Sequence, residues 1–185
     1  KYIEYKYISS HLIDAVIAIE DSRFYAHPGI DIKGILRAIY VNILSISYKQ
    51  GGSTITQQLA KLVFLNSEKS ILRKIRELFI TLKLEAILEK EEIISLYLNR
   101  AYFGSGNYGI SSATDSYFAK TPKELAIYES AILAAALKSP TRLNILSSPE
   151  KTKIRASIVL NRMLTLNLIT KNEFILALNN LEKLL

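Results

Sequence analysis

Apolar–polar alternation is confined in this chain to short stretches such as residues 44–49 and 80–86, and that constrains the fold more than any other feature. A half-buried strand needs such alternation, because successive side chains point to opposite faces. Apolar residues recur instead at intervals of three and four, the period of a helix that buries one face. Leu12, Ile13, Val16 and Ile17 form one such stripe, which Ser10 can cap and which ends near Glu20. Asp31 can cap a second, with Ile32, Ile35, Leu36, Ile39, Ile43 and Leu44 on one face. Thr54 and Gln57 have capping-box spacing for a third helix, which runs to about Leu65. Ser70 starts a long one through Ile71, Leu72, Ile75, Leu78, Phe79 and Leu82 to about Lys90, and Glu91 to Arg100 continues helically. Later starts are predicted at Thr121-Pro122-Lys123-Glu124, Ser148-Pro149 and Thr170-Lys171-Asn172-Glu173, and Phe103 to Gly109 is a glycine-rich loop. The predicted fold class is all-α. With 185 residues, one domain carrying a small lobe is the expected organisation, large enough to bury roughly 70 % of its unfolded surface.

The second helix departs from a simple core pattern. Tyr40, Val41, Ile46 and Tyr48 widen its apolar surface, while Lys33, Arg37 and Lys49 supply only positive charge. It reads either as a core helix or as an interfacial segment dipping into lipid, with its cations at the headgroups. The net charge of +7 favours an anionic partner: nucleic acid, a phosphate-bearing substrate or acidic lipid. Cysteine is absent, which excludes disulfides and cysteine metal sites. There is neither a signal peptide nor an 18-residue apolar run, and the chain begins at Lys1, as a piece of a longer protein would.

Three stretches hold the residues that can carry chemistry. Glu20-Asp21-Ser22-Arg23-Phe24-Tyr25-Ala26-His27-Pro28-Gly29 delivers two acids to a helix end and then turns. That arrangement can hold a reactive carboxylate over a cleft, or be no more than a solvated helix terminus. Gly51-Gly52 then feeds a helix start with Ser53, Thr54, Thr56, Gln57 and Gln58, a geometry that can cradle a phosphate or simply cap a helix well. It is not a Walker loop, for no Lys-Ser/Thr follows the glycines. In Arg73-Lys74-Ile75-Arg76-Glu77, helical spacing sets Glu77 among cations, either as an ordinary surface pair or as part of a pyrophosphate site. The Asp residues 14, 21, 31 and 115 form no Asp-x-Asp pair, and His11 and His27 lie in no ligand cluster. Ser148-x-x-Lys151 has the spacing of a penicillin-site motif, but without its companion motifs Ser148 reads as a helix cap.

In order, Glu20-Asp21-x-x-Phe24-x-x-His27-x-Gly29, Gly51-Gly52-Ser53-Thr54-Ile55-Thr56-Gln57-Gln58 and Arg73-Lys74-x-x-Glu77 resemble the first three motifs of the peptidoglycan glycosyltransferases. These are the family-51 transglycosylase modules of class A penicillin-binding proteins and of monofunctional transglycosylases. Tyr97-Leu98-Asn99, with Phe103-Gly104 and Gly109-Ile110, is similar to the fourth motif, and Arg155 with Arg162-Met163 to the fifth. The resemblance covers roughly residues 8 to 165, with departures at Thr141–Ile145 and at Leu62.

The resemblance implies a lysozyme-like helical fold with a membrane-associated hydrophobic jaw at about 30–50. It implies processive polymerisation of lipid II by a lipid-linked nascent glycan, with release of undecaprenyl diphosphate. Glu20 is the candidate general base, and Lys61, Arg73 and Lys74 would neutralise the leaving group. Glu77 would orient those cations or hold a divalent ion (Mg2+ or Mn2+), although no metal is required by the sequence. Asp21, Phe24, His27, Gly51, Ser53, Thr54, Thr56, Gln57, Gln58 and Asn99 complete the expected substrate site. Expected partners are bacterial membrane lipids and inhibitors such as moenomycin, not nucleic acid. The expected location is the periplasmic face of the cell membrane, with anchor and any transpeptidase domain outside this sequence. Two rivals stand beside this reading: a lysozyme-like hydrolase or lytic transglycosylase, and a non-catalytic membrane-binding module.

Overall fold

The structure, a computed structural model, describes residues 2–44, 52–65 and 70–184. Nine α-helices and no strand occur among them: α1 Ser10–Glu20, α2 Ile32–Leu44, α3 Ile55–Phe64, α4 Ile71–Ile87, α5 Lys90–Arg100, α6 Ile110–Phe118, α7 Ile127–Leu137, α8 Pro149–Thr165 and α9 Lys171–Lys183. The chain divides into two compact units, Lys1–Ile19 with Leu98–Leu185, and Glu20–Tyr97.

The first unit is built on α7, in which every residue from Glu129 to Ala136 is buried. Four of these are alanines, and small side chains let α8 and α9 pack closely against it. From α8 come Thr152, Ala156, Val159, Leu160 and Met163, one helical face; from α9 come Ala177 and Leu181. Asn99 ties the N-terminal segment down: its Oδ1 accepts from the Ile3 amide and its Nδ2 donates to the Ile3 carbonyl, both at 2.8 Å.

Two helix starts here differ from expectation. Thr121-Pro122-Lys123-Glu124 makes one closed turn, in which Glu124 accepts from the Thr121 amide and hydroxyl, and α7 begins only at Ile127. Ser9 bonds to this stretch from afar: its amide donates to the Pro122 carbonyl and its hydroxyl to the Leu125 carbonyl. Glu129 supplies the real start, reaching back to accept from the Ala126 amide at 2.8 Å. Helix α6 has no capping side chain to announce it; Gly109 precedes it at φ +81, and a Cβ there would lie 2.7 Å from the Asn99 carbonyl oxygen. Ser148 stands where a cap is expected for α8 but makes no side-chain cap bond. Ser9 rather than Ser10 supplies the first helical carbonyl of α1.

The second unit packs α3 on α4 around Phe24, Ile55, Leu59, Ala60, Leu84, Ile93, Ile94 and Tyr97. The capping box on α3 forms as the spacing predicts: Thr54 Oγ1 accepts from the Gln57 amide while Gln57 Oε1 accepts from the Thr54 amide. Ser70 likewise caps α4. Helix α2 turns its predicted stripe outward, with Ile32, Leu36, Ile39, Tyr40 and Ile43 between 50 and 70 % exposed. The rest of the expected lobe, residues 45–50, lies outside the described residues. Leu62, Val63 and Phe64 of α3 and Ile71, Leu72 and Phe79 of α4 are exposed as well. No helix among the described residues is long and apolar enough to cross a membrane.

The start of α7 gives a stability test. Glu129 is buried and accepts from Lys120 Nζ, the Tyr128 hydroxyl and the Ala126 amide. Glu129→Ala should therefore cost about 2–3 kcal/mol in denaturant unfolding. Thr121→Ala should cost clearly less; the reverse order would mean that the helix is nucleated at Thr121.

Candidate active site

The site residues of the second unit are organised from the end of α1. Glu20 is its last residue, and Gln58, one turn into α3, donates from Nε2 to Glu20 Oε2 at 2.9 Å. Gln58 is itself fixed by Tyr97, whose buried hydroxyl donates to Gln58 Oε1 at 3.0 Å. Burial, reinforced by the negative Glu20, pushes the Tyr97 phenol well above its usual range, so it keeps its proton and serves as the donor. Gln58 can then turn only its NH2 toward Glu20.

Asp21 has a different environment from its neighbour. It is buried and receives His27 Nε2 on both oxygens, at 3.0 and 3.2 Å. Its Oδ2 also accepts from the Ile55 amide at 3.1 Å, the first residue of α3. The Gly29 amide donates to His27 Nδ1 at 3.1 Å, which assigns the ring proton to Nε2. Thr54 closes the loop by donating to the Gly29 carbonyl at 2.6 Å. Gly29 is required twice over, by φ +84 and because a Cβ would lie 2.7 Å from Thr81 Cγ2 and 2.8 Å from Glu85 Cγ.

At the start of α3 the expected phosphate donors have partners within the chain. The helix start already has an anion, the Asp21 carboxylate, at its first amide. Thr54 and Gln57 face each other and the loop, and Thr56 donates to Glu85 Oε1 at 2.5 Å. Of the expected donors, Ser53 is exposed, Gln58 meets Glu20, and Gly51 lies outside the described residues.

On α4, Glu77 is buried between cations. Arg73 Nη1 reaches Glu77 Oε2 at 3.1 Å and Lys74 Nζ pairs with Oε1, while the Lys74 side chain remains half exposed. Arg73 Nε is buried without a partner. Lys61 is exposed in the last turn of α3. Both Glu77 oxygens are thus engaged by cations, and no group of three His, Asp or Glu able to hold an ion occurs among the described residues. This donor set does not fit a resident Mg2+ or Mn2+.

Asn99 belongs to the other unit, where both its polar side-chain atoms are bonded to Ile3. Sequence reasoning missed Glu85 and Lys90. Lys90 Nζ bonds Glu85 and the His27 carbonyl, each at 2.8 Å, and lies 4.6 Å from the centroid of the buried Phe24 ring. A signal existed: Glu77, Thr81 and Glu85 recur every fourth residue, a polar stripe on an otherwise apolar and basic helix.

Comparison with known proteins bears on most of the chain. The family model described as Transglycosylase matches residues 1–164. Penicillin-binding protein 1A of Vibrio cholerae is 47 % identical over 163 residues, covering 88 % of this chain and 20 % of that protein. The protein of the same name from Escherichia coli is 44 % identical over 90 % of this chain and 20 % of its own length. Penicillin-binding protein 1F of Bacillus subtilis is 43 % identical over 92 % of this chain and 24 % of its own. The crystal structure of penicillin-binding protein 1A from Haemophilus influenzae aligns at TM-score 0.47 with 33 % identity, over 67 % of this chain and 15 % of that one. The chain spans about a fifth to a quarter of the length of these curated relatives. With ordered motifs, an all-helical fold and a family match over nearly its whole length, the chain belongs to the family-51 transglycosylases, the peptidoglycan glycosyltransferase family.

Proposed function

We propose that this chain polymerises lipid II into β-1,4-linked glycan strands by an inverting displacement, with Glu20 as general base. One observation carries the reading: a single compact unit holds a carboxylate gripped by a neutral amide and, apart from it, a carboxylate clamped by two cations. The first suits proton transfer from an alcohol; the second suits an anionic leaving group.

The acceptor sugar's 4-hydroxyl is a poor nucleophile until its proton is taken. Glu20 receives that proton as the oxygen attacks C1 of the lipid-linked glycan. The C1–O bond breaks, its electron pair leaves with undecaprenyl diphosphate, and the sugar carbon inverts in one step without a glycosyl-enzyme. Gln58 supports this assignment, since an amide beside Glu20 stabilises the carboxylate and has no acidic proton to return. Arg73, Lys74 and Lys61 meet the diphosphate, and Glu77 holds the first two in position. Asp21, His27, Thr54, Thr56 and Gln57 act as the frame, with the buried Phe24 ring under Lys90, and Ser53 borders the substrate. Asn99 acts on the shape of its own unit.

Lipid II and the nascent glycan are lipid-linked, and the outward apolar residues of α2 support a membrane-facing jaw at the periplasmic surface. Moenomycin-type phosphoglycolipids would occupy the donor side.

The test of the chemistry is turnover of lipid II beside inhibitor affinity. Glu20→Gln should lower polymer formation about 10²-fold or more while keeping most inhibitor binding. Arg73→Ala and Lys74→Ala should lose inhibitor binding. Near-normal polymerisation by folded Glu20→Gln would remove Glu20 from the role, and digestion of existing glycan by the unaltered protein would overturn the polymerase reading.

The jaw has its own test. Ile39 and Ile43 are 50 % and 70 % exposed, so replacing both by Ser should weaken binding to anionic vesicles more than it lowers the melting temperature. Loss of folding with unchanged vesicle binding per folded molecule would make α2 a core helix.

A further inference from the structure

We infer that Tyr97 is a positioning residue for the reaction, acting on Glu20 through Gln58. The inference rests on the proposal that Glu20 is the base. Tyr97 is 2 % exposed and its hydroxyl meets Gln58 Oε1 at 3.0 Å, while Gln58 Nε2 meets Glu20 Oε2 at 2.9 Å. The three side chains come from α5, α3 and α1, so the chain of bonds links helix faces far apart in sequence.

The direction of each bond gives the arrangement its function. A primary amide can present either oxygen or NH2 to a neighbour, and the two ends are nearly equal in size. With oxygen toward Glu20, lone pairs would oppose a carboxylate; with NH2 toward it, the carboxylate gains a donor. The Tyr97 proton removes the ambiguity, because a phenol that stays protonated can satisfy Oε1 and leaves Nε2 for Glu20. Without that hydroxyl the amide is free to turn, and Glu20 loses a fixed orientation. Misplacement of a base lowers the rate of proton transfer without changing how substrate is held.

The experiment is a double-mutant cycle on the full chain, read as kcat and KM for lipid II. Tyr97→Phe keeps ring and packing and removes only the hydroxyl; kcat should fall about tenfold with KM within about twofold of the parent. In a Gln58→Leu background, Tyr97→Phe should have no further effect on kcat, since the intermediary is gone. This background also removes the Oε1 that Tyr97→Phe leaves buried and unsatisfied, which protects the test against loss of folding. An equal kcat loss in both backgrounds, a loss in KM alone, or parental kcat in Tyr97→Phe would overturn the inference. Glu20→Gln run alongside separates the two claims: if it remains active the base assignment fails, and if it is inactive while Tyr97→Phe is normal only the positioning role fails.

Discussion

The Asp21 carboxylate is the contact on which the second unit depends. It accepts from the His27 ring and from the first amide of α3, joining the loop after α1 to a helix that begins 34 residues later. A buried carboxylate is costly unless its lone pairs are satisfied, and here the donors are a ring N–H and a helix N-terminus. The Gly29 amide on His27 Nδ1 fixes the tautomer that makes the bond to Asp21 possible. Thr54 then reaches back to the Gly29 carbonyl, so loop and helix start are linked in both directions. Once α3 is held at its first residue, Gln58 falls one turn later, where it meets Glu20.

Around that anchor the remaining charges fall into self-contained groups. Lys90 bridges Glu85 to the His27 carbonyl and covers the Phe24 ring, so the loop is gripped from α4 and α5 as well. Glu77 holds Arg73 and Lys74 on one stretch of α4. Asp21, Glu77 and Glu85 each have donors of their own, and Glu20 accepts from the Gln58 amide, which Tyr97 holds in turn. That contrast, more than any one distance, supports separate duties for the acids: Asp21 and Glu85 for shape, Glu77 for cations, Glu20 for proton transfer.

Much of this was legible in the sequence where a local rule sufficed. The boxes at Thr54 and Thr170 and the cap at Ser70 form as their spacing predicts, because such bonds involve residues three apart. The Thr121 box has the same spacing, yet it closes a single turn whose Pro122 carbonyl, like that of Leu125 beyond it, is bonded by Ser9, remote in sequence. Helix α6 went unseen because Gly109 caps by conformation rather than by a side chain. At the site, the motif residues were identifiable, but not which way they face. Thr54, Thr56 and Gln57 looked like donors for a phosphate, and it took the fold to show Thr54 donating to the Gly29 carbonyl, Thr56 to Glu85, and the Ile55 amide between them to Asp21. Spacing gives the side of a helix; it does not say what packs there.

The division of labour between the adjacent acids Glu20 and Asp21 is the central claim, and Asp21→Asn tests it most directly. Asparagine matches the shape but turns one acceptor into a donor, which opposes either the Nε2–H of His27 or the Ile55 amide. In one preparation of this variant, melting temperature, moenomycin affinity and lipid II turnover should all fall together, because the frame itself loosens. A variant with parental melting temperature and inhibitor affinity that has lost only turnover would contradict the account, for Asp21 would then be acting in the chemistry rather than holding the site.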